Sequence, residues 1–426
     1  MANTSVLPPG PRGPLPIRAI RAFRRDLLGF LVDMPRRYGD VARLSFGLQD
    51  LYLVSHPDYI QEVLVTQHHS LPKTWVLRIA RDALGDGMLT SNGEYHRRQR
   101  KLIKPALHRH RIPAYTETMV RLADRTANAW QDGATIDMAQ EMMRLTLSVV
   151  AQTLFSCDFD GTASEIGHSI AEMAEIYERA KAPFADQLNR LPFLPGNRRF
   201  KRALERLDAA LEQLIDGRRR SGETPDDALT LLLAAHNDDG SPLSDRQVRD
   251  EVLAIFLAGQ ETTSDVLAWT WYLLSQHPEA EAGFRRELDE VLAGRLPEAR
   301  DLEALPYTRK MLAETLRLYP PAYVLPRRAI EPCSVGPYTV PPGAILLTNI
   351  YSVQRDPRFY ADPEAFEPNR WTPEMKQRLP RFAFCPFGGG PHACLGDHFA
   401  WADAMLLMAI LGQRWKARLV PGASVV

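Results

Sequence analysis

The order of apolar and polar positions divides the chain into stretches of different period. Between Asp40 and Ser55 the runs VARLSF and LYLVS flank Gly47 to Asp50, which predicts a β-hairpin with a four-residue turn. A helix is expected to open at His56-Pro57-Asp58, where the proline suits a first turn. From about residue 95 to 317 the helical period dominates, with loops expected at Asp132-Gly133, Leu191 to Asn197, Ser221 to Asp227 and Asn237 to Pro242. The clearest helix starts after Ser244, which with Gln247 spells a capping box, Leu243 and Val248 being placed as its hydrophobic staple. Its pattern continues to His277-Pro278, so at 1.5 Å per residue it should run for about 48 Å, and its middle is apolar nearly all round, which predicts burial. Strand-like runs return at Val324 to Ile330 and Cys333 to Leu347, and a last helix follows Cys394.

With no internal repeat or low-complexity linker, the layout predicts a mainly α protein with a small β region built from both sides of the helical stretch. Pro8, Pro9, Pro11, Pro14 and Pro16 make residues 1–20 an extended lead rather than a domain. Residues 21–426 then read as one domain, although 426 residues alone would suggest about three.

Composition narrows the partners. Lys plus Arg and Asp plus Glu number 52 each, so bulk charge offers no reason to expect nucleic acid or a membrane surface. The longest apolar runs, such as Val252 to Gly259, are far below the roughly 20 residues of a membrane span, and the first residues lack a signal-peptide pattern. Cys157, Cys333, Cys385 and Cys394 show no framework spacing, so a reducing, cytoplasmic setting is expected. Locally the balance breaks: Arg97, Arg98, Arg100, Lys101, Lys104, Arg109 and Arg111 occur with no acid between Tyr95 and Pro113.

Three patterns carry chemistry. In Phe387-Gly388-Gly389-Gly390-Pro391-His392-Ala393-Cys394-Leu395-Gly396, glycines let backbone approach a flat ligand and a cysteine precedes a helix start, where dipole and cations favour thiolate. A structural cysteine in a glycine-rich turn is the plainer alternative, and a zinc site using Cys385, His392 and Cys394 lacks paired spacing. In Ala258-Gly259-Gln260-Glu261-Thr262-Thr263, two small residues open a groove in mid-helix beside a carboxylate and a hydroxyl. A kinked helix with a solvated Glu competes with that reading, but apolar surroundings make an idle carboxylate costly. Glu314 and Arg317 lie three apart on one helical face, a spacing usually worth little at a surface.

The cysteine segment resembles the haem-ligand signature of the cytochrome P450 family, F-x-x-G-x-[HR]-x-C-x-G, a match expected by chance on the order of once in ten thousand for a chain this long. The other motifs follow in family order from the proline-rich lead to about residue 415. The resemblance implies the P450 fold, with its long helix crossing the haem, and Cys394 as axial ligand of iron protoporphyrin IX, the thiolate favouring O-O cleavage. It implies that Glu261 and Thr262 deliver protons to dioxygen, and that Ala258, Gly259, Phe387, Gly388 and Gly396 border the cofactor. His96, Arg100, Arg327 and His392 are the implied propionate holders; His96 stands where Trp is commoner and His392 where Arg is commoner, so the latter contact should be weaker and pH-dependent. Glu314, Arg317 and Arg370 match a buried structural network, and a pocket is implied along Val76, Leu77, Leu89, Ile255, Phe256, Ala258, Ala322, Tyr323, Val324 and Leu325.

The implied activity is insertion of one oxygen atom from O2 into an apolar C-H or C=C bond of a lipophilic small molecule. Without a flavin or iron-sulfur module, the chain should receive NAD(P)H-derived electrons through a ferredoxin or flavodoxin and its reductase, docking at the basic segment; it is expected to work as a monomer. Two rivals are a haem-thiolate peroxygenase or isomerase, against which the Glu261-Thr262 pair argues, and a non-catalytic haem sensor, which would leave that pair without a purpose. The family's short C-terminal strands are expected to be missing, since the chain stops at Val426.

Overall fold

Helix α1 (Leu27–Tyr38) leads into strands β1 (Val41–Phe46) and β2 (Gln49–Val54), followed by the short helix α2 (Pro57–Gln61). The helical body comprises α3 (Gly93–Ile103), α4 (Ile112–Ala129), α5 (Met138–Leu154), α6 (Pro195–Ser221), α7 (Asp245–Gln276), α8 (Pro278–Leu292) and α9 (Pro306–Leu318). Strands β3 (Val324–Arg328), β4 (Cys333–Val335), β5 (Tyr338–Val340) and β6 (Ile345–Asn349) precede the final helix α10 (Asp397–Arg414). This computed structural model describes residues 7–11, 21–23, 25–46, 49–73, 84–157, 165–170, 172, 195–423 and 425.

Local signals set several of these boundaries. Gln247 N–H donates to Ser244 Oγ at 3.3 Å while Ser244 N–H donates to Gln247 Oε1 at 2.9 Å, completing the expected capping box of α7. Leu243 and Val248 are both buried beside it. His56 caps α2, its Nδ1 accepting from Asp58 N–H. The hairpin forms in the expected place, and Gln49 and Asp50 belong to β2, where they pair with Phe46 and Ser45 of β1. Arg43 Nη2 reaches both Asp50 oxygens at 2.9 Å and Gln49 Nε2 donates to Gly343 O, so two residues expected in the turn are drawn into the sheet. The loop expected at 191–197 also ends early, because α6 begins at Pro195, where a proline needs no hydrogen-bond partner for its nitrogen.

One sheet has the order β1-β2-β6-β3, with β2 and β6 parallel and the other neighbours antiparallel; β4 and β5 form a separate hairpin. The sheet thus ties residues near 50 to residues near 350 across the whole helical body. Residues 7–11 of the proline-rich lead lie along β1, where Arg43 N–H donates to Pro9 O at 2.9 Å, partly covering an edge that would otherwise invite another strand. Helix α7 has 32 residues, about 48 Å. It packs against α5, α9 and α10. Burial along it is not continuous as expected: Val252 to Phe256 and Thr263-Ser264 are buried, whereas Ala258, Glu261 and Thr262 are exposed. Among the described residues, no helix is long and apolar enough to cross a membrane.

Candidate active site

The cysteine loop is held open by backbone geometry. Gly388 and Gly390 have φ of +67° and +68°, a region that disfavours side chains. A Cβ on Gly390 would lie 2.0 Å from Leu64 O, so glycine is also demanded by contact. Gly388 N–H donates to Cys385 O and Cys394 N–H to Phe387 O, each at 2.9 Å, closing the loop two residues before α10. Of the four cysteines, Cys394 alone is exposed. Burial pushes the Cys333 and Cys385 thiols up to about 11 and about 12, which leaves them inert. The Cys394 thiol is reachable yet surrounded by protein, and this burial raises its pKa; Gly396 N–H and Arg100 pull it down, with Asp397 opposing them. The thiolate anticipated from the helix start is therefore not favoured by the protein alone, because burial outweighs the Gly396 N–H and Arg100; coordination to a metal would deprotonate it.

Four residues singled out for an anionic cofactor edge come together from three elements. His96 and Arg100 sit one turn apart on α3, Arg327 on β3 and His392 in the cysteine loop. His96 Nε2 and His392 Nδ1 are 3.2 Å apart, Arg100 Nη1 donates to Ala393 O at 2.6 Å, and Arg327 Nη1 donates to Pro326 O at 2.9 Å. Burial, reinforced by Lys73, Arg100 and Arg327, pushes His96 down to about 4. Burial together with Lys73, His96, Arg327 and Arg100 pushes His392 down to about 2. The pH-dependent contact expected of His392 is thus not supported near neutrality, since burial, reinforced by the surrounding cations, keeps the imidazole neutral. Lys73 was not visible in the sequence pattern; it reaches this cluster through its backbone bridge to Arg327.

The exposed window on α7 has a different construction from the expected groove. Thr262 Oγ1 donates back to Ala258 O at 2.8 Å, and Ser264 Oγ and Thr146 Oγ1 donate to the carbonyls of Glu261 and Gln260. Gly259 faces away from any ligand space: a Cβ there would sit 2.8 Å from Val150 Cγ2 of α5. Its small size is needed for helix packing, while Ala258, Glu261 and Thr262 form the open face.

Behind the cysteine loop, Glu314 and Arg317 are completely buried. Glu314 accepts from Arg317 Nε and Nη2, Arg370 Nε, Trp371 Nε1 and Glu367 N–H at 2.7 to 3.1 Å. Arg317 also donates to the carbonyls of Gln354, Pro363 and Ala365. Gln354 extends the network, accepting from Cys385 N–H at 3.3 Å and so joining it to the cysteine loop. Trp371 and Gln354 have no sequence signal, because their partners are remote in the chain.

The implied pocket residues divide. Val76 and Leu77 lie outside the described residues. Leu325 approaches the cysteine loop, its Cδ1 being 3.3 Å from where a Gly388 Cβ would stand, and it shares a strand face with Arg327. Tyr323 and Val324 instead pack toward α1 and the sheet, beside Phe30 and Leu44; Ala322 stands half-buried just before β3. Ile255 and Phe256 are core residues rather than pocket walls: both are buried in the main apolar cluster, and Phe256 stacks on Phe155 at 4.4 Å. Leu89 is half-buried at the end of a segment pinned to α7, where Asp86 N–H donates to Asp250 Oδ2 and Met88 N–H to Glu251 Oε2. Asp250 and Glu251 were missed; an adjacent acid pair directly before the apolar run Val252 to Gly259 was the available signal.

Comparison with known proteins decides what this assembly is. The family model described as cytochrome P450 matches residues 8–426. The chain belongs to the cytochrome P450 family. It is 38% identical over 405 residues to "Cyclooctatin synthase" of Streptomyces melanosporofaciens, covering 94% of this chain and 88% of that protein. It is 38% identical over 407 residues to "Cyclooctat-9-en-7-ol 5-monooxygenase" from the same organism (95% and 88% covered), and 34% identical over 394 residues to "Pentalenene oxygenase" of Streptomyces avermitilis (91% and 86%). A solved structure, "Retinoic acid bound cyanobacterial CYP120A1", superposes with a TM-score of 0.85 at 27% identity, covering 98% of this chain and 94% of that one. This P450 is a haem-thiolate monooxygenase with the expected mainly α fold. Its residues fit the haem the family implies: one reachable cysteine on a glycine-opened loop, and a buried group of cations and imidazoles suited to two carboxylates.

Proposed function

We propose that this P450 hydroxylates or epoxidises a terpenoid hydrocarbon or terpene alcohol as one catalytic domain from residue 21 onward, acting as a cytoplasmic monomer. The observation that carries this reading is the reachable Cys394 together with the exposed Ala258-Glu261-Thr262 face, in a chain 38% identical to "Cyclooctatin synthase" and to "Cyclooctat-9-en-7-ol 5-monooxygenase". Cys394 would hold iron protoporphyrin IX, with His96, Arg100, Arg327 and His392 at its carboxylate edge, and the bound group would supply dioxygen binding and activation. Thr262, already bonded to Ala258 O, presents a hydroxyl that would hold a proton on the open face of α7, and Glu261 one residue away would supply or take up that proton. Leu325 and Ala258 contribute apolar wall, excluding water from the reacting carbon.

Electrons derived from NAD(P)H arrive through an acidic ferredoxin or flavodoxin with its reductase. The docking patch is narrower than the seven-cation segment suggested. Arg97, Arg98 and Arg111 are paired with Glu94, Asp238 and Asp226, and Arg100 points to Ala393 O. Lys101, Lys104 and Arg109 are exposed, and Lys104 and Arg109 lie near His108, His110 and His398, which makes this the face for an acidic partner. A reduced, carbon monoxide-bound absorption spectrum of the thiolate type, lost in Cys394→Ser, is expected; a histidine-type spectrum overturns the assignment. Terpene hydrocarbons and alcohols should shift the ferric spectrum on binding and yield oxygenated products with a reducing partner, whereas turnover supported only by hydrogen peroxide would overturn the monooxygenase reading.

A further inference from the structure

The cation cluster contains a member whose geometry serves two structures at once. Lys73 is fixed by its backbone, its N–H donating to Asn92 Oδ1 at 2.9 Å. Its ammonium donates to Met88 O at 2.9 Å and Leu89 O at 3.0 Å, leaving one of three N–H groups uncommitted. The Met88-Leu89 segment is held from the other side by Glu251, which accepts from Met88 N–H. Lys73 is half-buried and lies within electrostatic reach of Arg327 and Arg100, with Glu251 as the single acid that attracts it.

That acid offers little compensation. Glu251 is completely buried, one of its oxygens has no partner, and burial pushes its carboxyl up to about 8, so it is protonated at neutral pH. Burial likewise pushes the Lys73 ammonium down to about 7. Lys73, Arg100 and Arg327 therefore gather beside the neutral imidazoles of His96 and His392, with Asp397, near Arg100, as the acid facing them. Such a group is costly to bury unless an anion enters.

We propose that Lys73 is a positioning residue for the haem, holding its carboxylate edge with the third N–H while the other two fix the Met88-Leu89 carbonyls, so that cofactor binding also sets the segment leading to Leu89. The inference rests on the haem reading above. It differs from a purely structural role for Lys73, in which the two carbonyl bonds are all that matters.

The holoenzyme separates these roles. Lys73→Gln keeps N–H donors for the carbonyls but removes the charge, and Lys73→Arg keeps the charge. Transfer of haem from the ferric holoenzyme to apomyoglobin should be about ten- to a hundredfold faster in Lys73→Gln, the scale of one hydrogen bond to a charged group. Its ferric/ferrous midpoint potential should move negative as a nearby cation is lost. Lys73→Arg should stay close to the native chain in both. If Lys73→Gln accumulates too little holoenzyme, Lys73→Met is measured in its place with the same expectation. Native transfer rate and potential in the neutral variants would overturn the proposal, as would Lys73→Arg losing haem as fast as Lys73→Gln. Absence of a thiolate-type spectrum in the native chain would instead overturn the haem reading itself.

Discussion

Asp403 offers a quantitative test of how burial governs ionisation in this protein. It sits on α10 with no exposed surface, and neither carboxylate oxygen has a hydrogen-bond partner. Burial alone pushes its carboxyl from the ordinary 3.8 up to about 8. Between those values the folded chain holds a proton that the unfolded chain releases. Stability is therefore greatest below the unfolded value and declines as pH rises towards the folded one. Each pH unit of the interval is worth about 1.4 kcal/mol, which gives a loss of about 4 kcal/mol at pH 7 and about 2 kcal/mol at pH 5. Asp403→Asn keeps the shape and removes the ionisation. It should raise the unfolding free energy by up to these amounts, with the larger gain at the higher pH. For 426 residues, 4 kcal/mol corresponds to about 4 °C in Tm. Thermal or urea unfolding of the holoenzyme at pH 5, 7 and 8 reads this directly. An advantage independent of pH, or a variant less stable than the native chain at pH 8, would refute the reasoning and mean that Asp403 is ionised and stabilised in the fold.

Glu314→Gln should cost about 3 to 5 kcal/mol in urea unfolding, because Arg317 and Arg370 would face a neutral side chain in a site sealed from water; a loss below 1 kcal/mol would contradict the network. Gly259→Ala should cost about 1 to 3 kcal/mol by pressing on Val150, and Val150→Ala in the same chain should recover much of it if packing is the cause. Thr262→Val removes the hydroxyl bonded to Ala258 O at little expense in Tm, but should lower product formed per dioxygen consumed; unchanged coupling would remove Thr262 from proton handling.

Features with a short sequence reach were legible in advance. The α7 capping box needs only four consecutive residues, and the three-residue spacing of Glu314 and Arg317 already brings them together on one face. The glycines of the cysteine loop were readable as necessary, although the reason for Gly390 is the carbonyl of Leu64, more than 300 positions away. Gly259 shows the limit: a small residue in a helix reads equally as a gap for a ligand or as room for a neighbour, and Val150 supplies the answer. Phe256 met the same ambiguity and was resolved by Phe155.

By itself the sequence carried the resemblance to the family, in the cysteine-loop motif. It also determined the order of the elements and the start of the long helix, which depend on hydrogen bonds and periodicity within a few residues. Tertiary structure decided charge and environment: which arginines are neutralised by Asp226 and Asp238, that Lys73 lies beside Arg327 and Arg100, and that Cys394, His392 and Glu251 have displaced pKa values. Desolvation and Coulomb interactions depend on every atom within several ångströms, and those atoms come from segments that only the fold makes neighbours.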